Sequence, residues 1–465
     1  MTKKTLAAAN KEDSRIFARE DTSSTFSELC DQYKSSGESV EVDFRTLVGW
    51  VRQGDQLTHQ LHPYPAKLLP NIAHFFVRAK SLQRRNPLVL DPFCGSGTVA
   101  LEATIAGHTA LVADANPLAL LIARVKTTPY DVRTLREAAD LLCRRARRYK
   151  TAPKVNVVND HLWYTPEKKR VLEIVSRAVS EVDDEKIRDF FRVCLSVLVR
   201  KMSFADPAVS VPVRLRIKEG LSDHHGARIS TRLQWLESVD VFSEFEKICF
   251  ANIERVEEAN LTRPDRKVAL SVGGDARVLS AIEPQKSGRL RAGSVPLIIT
   301  SPPYGSAQKY VRASSLSLNW LGFARPDELA SLERKSIGRE HAPNHSYRDL
   351  PDVLPKAYRD LCRKINKQNP IRGRITLEYL HDLRLALLEM MRVTSKDGRI
   401  VLVIGNNQVC GETLRNDKFA TQILEEAGMR IQLSLIDHIK SRGLMTKRNK
   451  TASLISRESV LVFSK

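Results

Sequence analysis

Five consecutive residues, Thr300-Ser301-Pro302-Pro303-Tyr304, have the types and spacing to do chemistry on an amine. Two adjacent prolines fix φ and remove both backbone donors, leaving carbonyl oxygens that nothing local can claim. The Ser301 hydroxyl and the Pro302 carbonyl could accept hydrogen bonds from both N–H groups of an exocyclic amine. That would draw the nitrogen lone pair out of conjugation and aim it at an electrophile, with Tyr304 stacked on the attached ring. The plain alternative is a loop stiffened by Pro302 and Pro303 with a packing tyrosine.

A second constellation lies upstream. The apolar run Pro87 to Leu90 leads into Asp91-Pro92-Phe93-Cys94-Gly95-Ser96-Gly97-Thr98 and a helical segment from Val99 to Ala106. Strand, glycine turn and helix bring backbone N–H groups close to a bound cofactor. There is no third glycine and no P-loop lysine, so the turn suits a ligand lying flat across it, with Asp91 accepting from a cationic amine. Cys94 reads as a packing residue, since no base partners it.

The strand Ala110 to Ala113 ends in Asp114, followed by Asn116-Pro117. An acidic residue about 20 positions past such a turn can grip a ribose diol; a simple strand-end cap is the alternative. Val268 to Val272 ends in Gly273-Gly274-Asp275-Ala276-Arg277, where Asp275 could accept from an adenine amino group. Before the first strand, in His62-Pro63-Tyr64-Pro65-Ala66-Lys67, Lys67 offers a cation and His62 or Tyr64 polar contacts to a ligand carboxylate. A proline-rich helix start is the structural reading of that segment. An adenosine-containing cofactor unites these features.

The elements that must position them form an α/β pattern, because Val295 to Ile299 is apolar enough for a buried strand and open sheets carry sites at strand carboxyl ends. Residues 1–55 read as a mobile arm, 56–130 as the first half of the sheet domain, 131–266 as a helical insertion and 267–465 as the second half. Within the last, 323–374 is a basic excursion, expected to be loop-rich from Arg334 to Arg374, before a helix from about Thr376 to Thr394. Ile431 to Ile439 and Ser459 to Ser464 are expected to pair antiparallel at the sheet edge. Lys+Arg 74 against Asp+Glu 54 leaves +20, which points to a polyanionic partner. The basic run Arg144 to Lys150 is either a solvated helix face or a phosphate contact. Seven cysteines without a CxxC pair imply reduced thiols and no structural zinc. No apolar run nears ~18 residues, and no signal pattern opens the sequence, so neither a membrane-spanning nor a secreted protein is expected.

On these two loops the sequence resembles the amino-methyltransferases of DNA, which use S-adenosylmethionine to methylate N4 of cytosine or N6 of adenine. Asp91 to Thr98 looks like the family's cofactor loop, and Thr300 to Tyr304 looks like its catalytic loop. His62 to Lys67 is similar to a segment some members carry before the cofactor loop. Tyr310-Val311-Arg312, Ile337-Gly338-Arg339-Glu340 and Val403 to Asn407 are similar to a subgroup of bacterial modification methylases. The resemblance covers roughly residues 56–130 and 268–465. It implies a Rossmann-like class I methyltransferase fold with a mostly parallel seven-stranded sheet. Implied catalytic residues are Ser301, Pro302, Pro303 and Tyr304. Implied cofactor contacts are Tyr64, Lys67, Asp91, Phe93, Gly95, Ser96, Gly97, Thr98, Asp114, Asn116, Asp275 and Ala276. The serine form of the catalytic loop is commoner among cytosine-N4 enzymes, so that base is expected, with adenine-N6, an RNA base methyltransferase and an inactive DNA-binding relative as alternatives. The resemblance further implies duplex DNA as partner, a restriction or defence-system partner as a possibility, and a bacterial cytoplasm as location. The absence of any Pro-Cys pair argues against cytosine-C5 methylation.

Overall fold

The computed structural model describes residues 21–49, 56–65, 67–82, 87–217, 222–281, 288–305, 310–339, 353–439 and 456–465. Ala66, Ser306 to Lys309, and parts of the arm and of the basic excursion therefore lie outside the described residues.

Ten strands are present among these residues: β1 (Val40–Val42), β2 (Leu88–Asp91), β3 (Thr109–Val112), β4 (Leu270–Ser271), β5 (Val295–Thr300), β6 (Thr394–Ile404), β7 (Asn407–Val409), β8 (Glu412–Leu414), β9 (Arg430–His438) and β10 (Arg457–Ser464). β7 and β8 form a small hairpin, and the other eight make one sheet in the order β1-β9-β10-β6-β5-β2-β3-β4. Only β10 runs antiparallel to its neighbours β6 and β9. The expected mostly parallel α/β fold is present, and β9 and β10 pair antiparallel as the sequence indicated.

Two expectations are corrected. The sheet has eight strands in place of seven, because β1, from the segment read as an arm, pairs parallel with β9 and takes the edge. That segment also holds helix α1 (Ser23–Ser36), and Phe26, Leu29, Phe44 and Val48 are buried in the main core. The polar start of the sequence masked these few apolar anchors. The loop-rich reading of Arg334 to Arg374 also fails in part, because Lys356–Gln368 is a helix that buries Tyr358, Cys362 and Ile365, and the next helix begins at Pro370. Its many charges lie on one face, which hid the period.

Alternation along the strands divides the core in two. Val89, Leu297, Ile299, Val401 and Val403 face one layer, and Leu90, Ile298, Ile400, Leu402 and Ile404 the other. The first layer contains α2 (Pro70–Arg78), α3 (Thr98–Ile105) and α4 (Pro117–Thr127). It also contains the long helices α5 (Val132–Arg148), α6 (Pro166–Ser180), α7 (Glu185–Lys201), α8 (Asp223–Ser238) and α9 (Val241–Thr262), which share its core through Leu135, Phe190, Phe245 and Val256. α10 (Tyr310–Trp320) lies on the same side, whereas α11 (Lys356–Gln368), α12 (Pro370–Val393) and α13 (Asn416–Glu426) cover the second layer. With both faces covered, the parallel strands read as continuous apolar runs.

Candidate active site

The carboxyl ends of β2, β3, β5 and β6 lie along one edge of the sheet. Asp91 ends β2, and Ser301 directly follows β5. The neighbouring strands tie the two loops together, since the Thr300 hydroxyl donates to Asp91 Oδ1 at 2.6 Å in a buried hydrogen bond. Sequence reasoning gave Thr300 no such role.

Residues 91–98 make the expected strand, turn and helix. Phe93 N donates to Asp91 Oδ1 at 3.1 Å, Cys94 N to the Ala113 carbonyl at 3.0 Å, and Gly97 N to the Cys94 carbonyl at 2.7 Å. Gly95 and Gly97 have positive φ of 47° and 72°. A Cβ at Gly97 would lie 2.7 Å from Ala123 Cα, so only glycine lets the turn lie against α4. Ser96 is buried, its hydroxyl 3.4 Å from that of Thr98. The Cys94 thiol is pushed up by burial, in line with a packing role.

Asp114 turns back onto the same loop. Its Oδ2 accepts from Gly95 N at 2.9 Å and its Oδ1 from Asn116 N at 2.8 Å. Asn116 caps α4 by accepting from Leu118 N, and its side-chain amide donates to the Tyr64 hydroxyl and to Ser314 Oγ, each at 3.1 Å. Tyr64, Gly95, Asp114 and Asn116 are thus brought together. The 273–277 loop passes close by, because a Cβ at Gly274 would lie 3.6 Å from the Asp114 carbonyl.

Other expected residues have protein partners. Both Asp275 oxygens accept from the Arg277 guanidinium, which also bonds to Asp382 at 2.7 Å, while Ala276 is buried in the second layer. Lys67 donates to the His59 carbonyl at 3.1 Å, and burial with the neighbouring Arg255 lowers its pKa to about 8. His62 bonds to Ser196 on α7 at 2.8 Å, and burial drops its pKa to about 3, so it is a neutral anchor of its segment.

Electrostatics mark the two strand-end carboxylates. Burial pushes Asp91 up to about 7 and Asp114 up to about 6, and neither forms a salt bridge among the described residues. A buried and a half-buried carboxylate held without a cation beside a glycine turn fit a group that brings its own ammonium and hydroxyls. S-adenosylmethionine has both.

In the 301–304 loop Pro302 is buried and Ser301 Oγ lies 3.4 Å from the Tyr304 hydroxyl. That hydroxyl donates to Glu458 Oε1 at 2.7 Å, a partner the sequence did not suggest. β10 is antiparallel, so its amino end reaches the edge where the parallel strands finish. Gly305 packs against Tyr379, where a Cβ would come within 2.8 Å of the ring, and its carbonyl accepts from Asn407 at 2.8 Å. Asn416 in turn donates to Asn407 Oδ1 at 2.9 Å, so the start of β7 and α13 brace the loop.

The sequence is similar to known methyltransferases. A family model described as UPF0020, RMKL-like, methyltransferase domain matches residues 59–140, which include the cofactor-type turn and Asp114. The Type II methyltransferase M.MvaI of Kocuria varians is 22% identical over 416 residues, 85% of this chain and 87% of that protein. Over most of its length the chain is similar to a Type II methyltransferase. M.MjaII of Methanocaldococcus jannaschii is 32% identical over 79 residues, 17% of this chain and 14% of its own. M.AvaI of Nostoc is 25% identical over 154 residues, 30% and 32% of the two chains. The rRNA methyltransferase aviRa from Streptomyces viridochromogenes aligns over 86% of this chain and 87% of its own at 10% identity with a TM-score of 0.26, too loose an overlap to carry an argument. Among the described residues no helix is long and apolar enough to cross a membrane.

Proposed function

We propose that this methyltransferase relative modifies an exocyclic amine of a base flipped out of duplex DNA, N4 of cytosine, with S-adenosylmethionine as methyl donor. The observation that carries the reading is the Thr300–Asp91 hydrogen bond, which holds the Ser-Pro-Pro-Tyr loop against the glycine turn on adjacent parallel strands. An amine at Ser301 and a ligand across Gly95 and Gly97 would then be neighbours.

In this reading Asp91 takes the ligand's ammonium, Asp114 its ribose hydroxyls, and Tyr64 closes the turn from outside. The bound cofactor supplies a methyl on a cationic sulfur. Ser301 Oγ and the Pro302 carbonyl orient the amine by accepting from its N–H groups, an electrostatic contribution of roughly 10²–10³ in rate per donor or acceptor. An exocyclic amine inside a base pair has no accessible lone pair, which is why the base must leave the stack. The charge of +20 suits the duplex backbone.

The test is incubation of duplex DNA and, in parallel, RNA with tritium-labelled S-adenosylmethionine, followed by nuclease digestion and mass spectrometry. N4-methylcytosine is expected, and Ser301→Ala should lower turnover far more than it changes ligand affinity. N6-methyladenine would overturn the base assignment, labelled RNA in place of DNA the substrate class, and cofactor binding without transfer to either the activity.

A further inference from the structure

Methylating a neutral amine creates a proton problem. As the N–C bond forms, the donor's S–C bond breaks and its electron pair stays on sulfur, so the positive charge passes to nitrogen. One N–H proton must then leave. The orienting acceptors, a serine hydroxyl and a proline carbonyl, carry no negative charge, and Asp91 is taken up by Thr300, Phe93 and, in the reading above, the ligand's ammonium.

A path from Ser301 exists in the structure. Its Oγ lies 3.4 Å from the Tyr304 hydroxyl, which donates to Glu458 Oε1 at 2.7 Å. Three oxygens from a catalytic-type loop and the amino end of an antiparallel strand therefore line up, ending in a half-buried carboxylate. A mere clamp for the ring would not need a charged group at this depth, where desolvation is costly. We propose that Glu458 acts through Tyr304 as a positioning residue and as the terminal proton acceptor for the amine that Ser301 orients. The proton moves from nitrogen to Ser301 Oγ as the serine proton passes to Tyr304, whose own proton passes to Glu458. The hydroxyls end unchanged, and the neutral glutamic acid releases its proton to solvent. This inference rests on the amine-methylation reading above.

The surroundings favour such a role. Burial raises the Glu458 pKa, and so does Asp437, which faces it in register across β9 and is itself raised by burial. Arg45, Asp43 and His438 lie around Asp437, and among the described residues Tyr310 of α10 also lies near Tyr304. A carboxylate with a raised pKa is a better acceptor near neutrality. The acceptor is therefore ready above the Glu458 pKa and lost as pH falls through it.

The test measures single-turnover methyl transfer to duplex DNA against pH, with ligand affinities by calorimetry. Glu458→Gln keeps an acceptor for the Tyr304 hydroxyl but removes the charge. It should lower the rate about 10²-fold and abolish the acid limb while leaving cofactor and DNA affinity within a factor of about two. Tyr304→Phe should show the same flattened profile, and Asp437→Asn should keep the limb and move it to lower pH. If Glu458→Gln keeps both the wild-type rate and its acid limb, Glu458 is only a clamp and the inference is wrong. If the wild type transfers no methyl to duplex DNA, the amine-methylation reading fails first.

Discussion

Replacing Asp91 by asparagine should make the protein more stable and less able to bind its cofactor. Asp91 is 4% exposed, and burial raises its carboxyl from an ordinary 3.8 to about 7. At about 1.4 kcal/mol for each tenfold, burying the Asp91 carboxyl costs the fold about 4 kcal/mol near pH 8, where it is ionised, and about 1.5–2 kcal/mol near pH 5, where it must first take up a proton. A group with a raised folded pKa contributes stability at low pH that is lost as pH rises, here between about 4 and 7. Asparagine Oδ1 can still accept from Phe93 N and Thr300, but its amide N–H groups need partners, a pH-independent cost of about 1–3 kcal/mol. The variant should therefore gain about 1–3 kcal/mol near pH 8 and little or nothing near pH 5. The change of about 2.5 kcal/mol between the two isolates the carboxyl from the amide. Thermal unfolding of both proteins at the two pH values measures it, and calorimetry should show S-adenosylmethionine binding at least about tenfold weaker in the variant. A stability difference that is the same at both pH values would refute the claim that an uncompensated buried charge sits at the end of β2.

Asp114→Asn should weaken S-adenosylmethionine by about 1.5–3 kcal/mol, and wild-type affinity should fall as pH drops below about 6, where Asp114 protonates, while the variant stays flat in calorimetric titrations. Gly97→Ala should destabilise by about 2–4 kcal/mol, since its Cβ would meet Ala123 Cα at 2.7 Å with φ at 72°; Gly95→Ala, whose nearest contact would be 3.5 Å to Tyr64, should cost about 1 kcal/mol, and unfolding midpoints would reveal any reversal of that order. Duplex DNA affinity should fall about tenfold or more between roughly 50 and 200 mM salt, and a flat salt profile would remove phosphate contact as the reason for the basic charge. In the run from Arg144 to Lys150, Arg147 already pairs with Asp240 and Glu246, and Arg145 donates to the Glu181 carbonyl. Charge reversal at the exposed Arg144 and Arg148 should therefore reduce DNA affinity if α5 lies on the duplex, and reversal at Lys356 and Lys367 if α11 does.

The sequence by itself determined the α/β pattern and both loops, because each loop is a short local device. A strand must be apolar, a turn at positive φ needs Gly95 and Gly97, and paired prolines stiffen the loop after β5 whatever the rest of the chain does. Only the tertiary structure decided how those devices meet. Thr300 and Asp91 are 209 positions apart, and Tyr304 and Glu458 154 apart, so no local pattern announces either hydrogen bond. The direction of β10 is set by pairing with β6 and β9, and that direction carries Glu458 to the edge that holds the 301–304 loop. β1 escaped notice because three residues at a sheet edge carry almost no periodic signal, and their place depends on β9 offering a free edge. The same holds for charge: Lys+Arg 74 can be counted in the sequence, but which cations remain for a partner depends on which acids the fold sets beside them, as Asp275 and Asp382 beside Arg277 show.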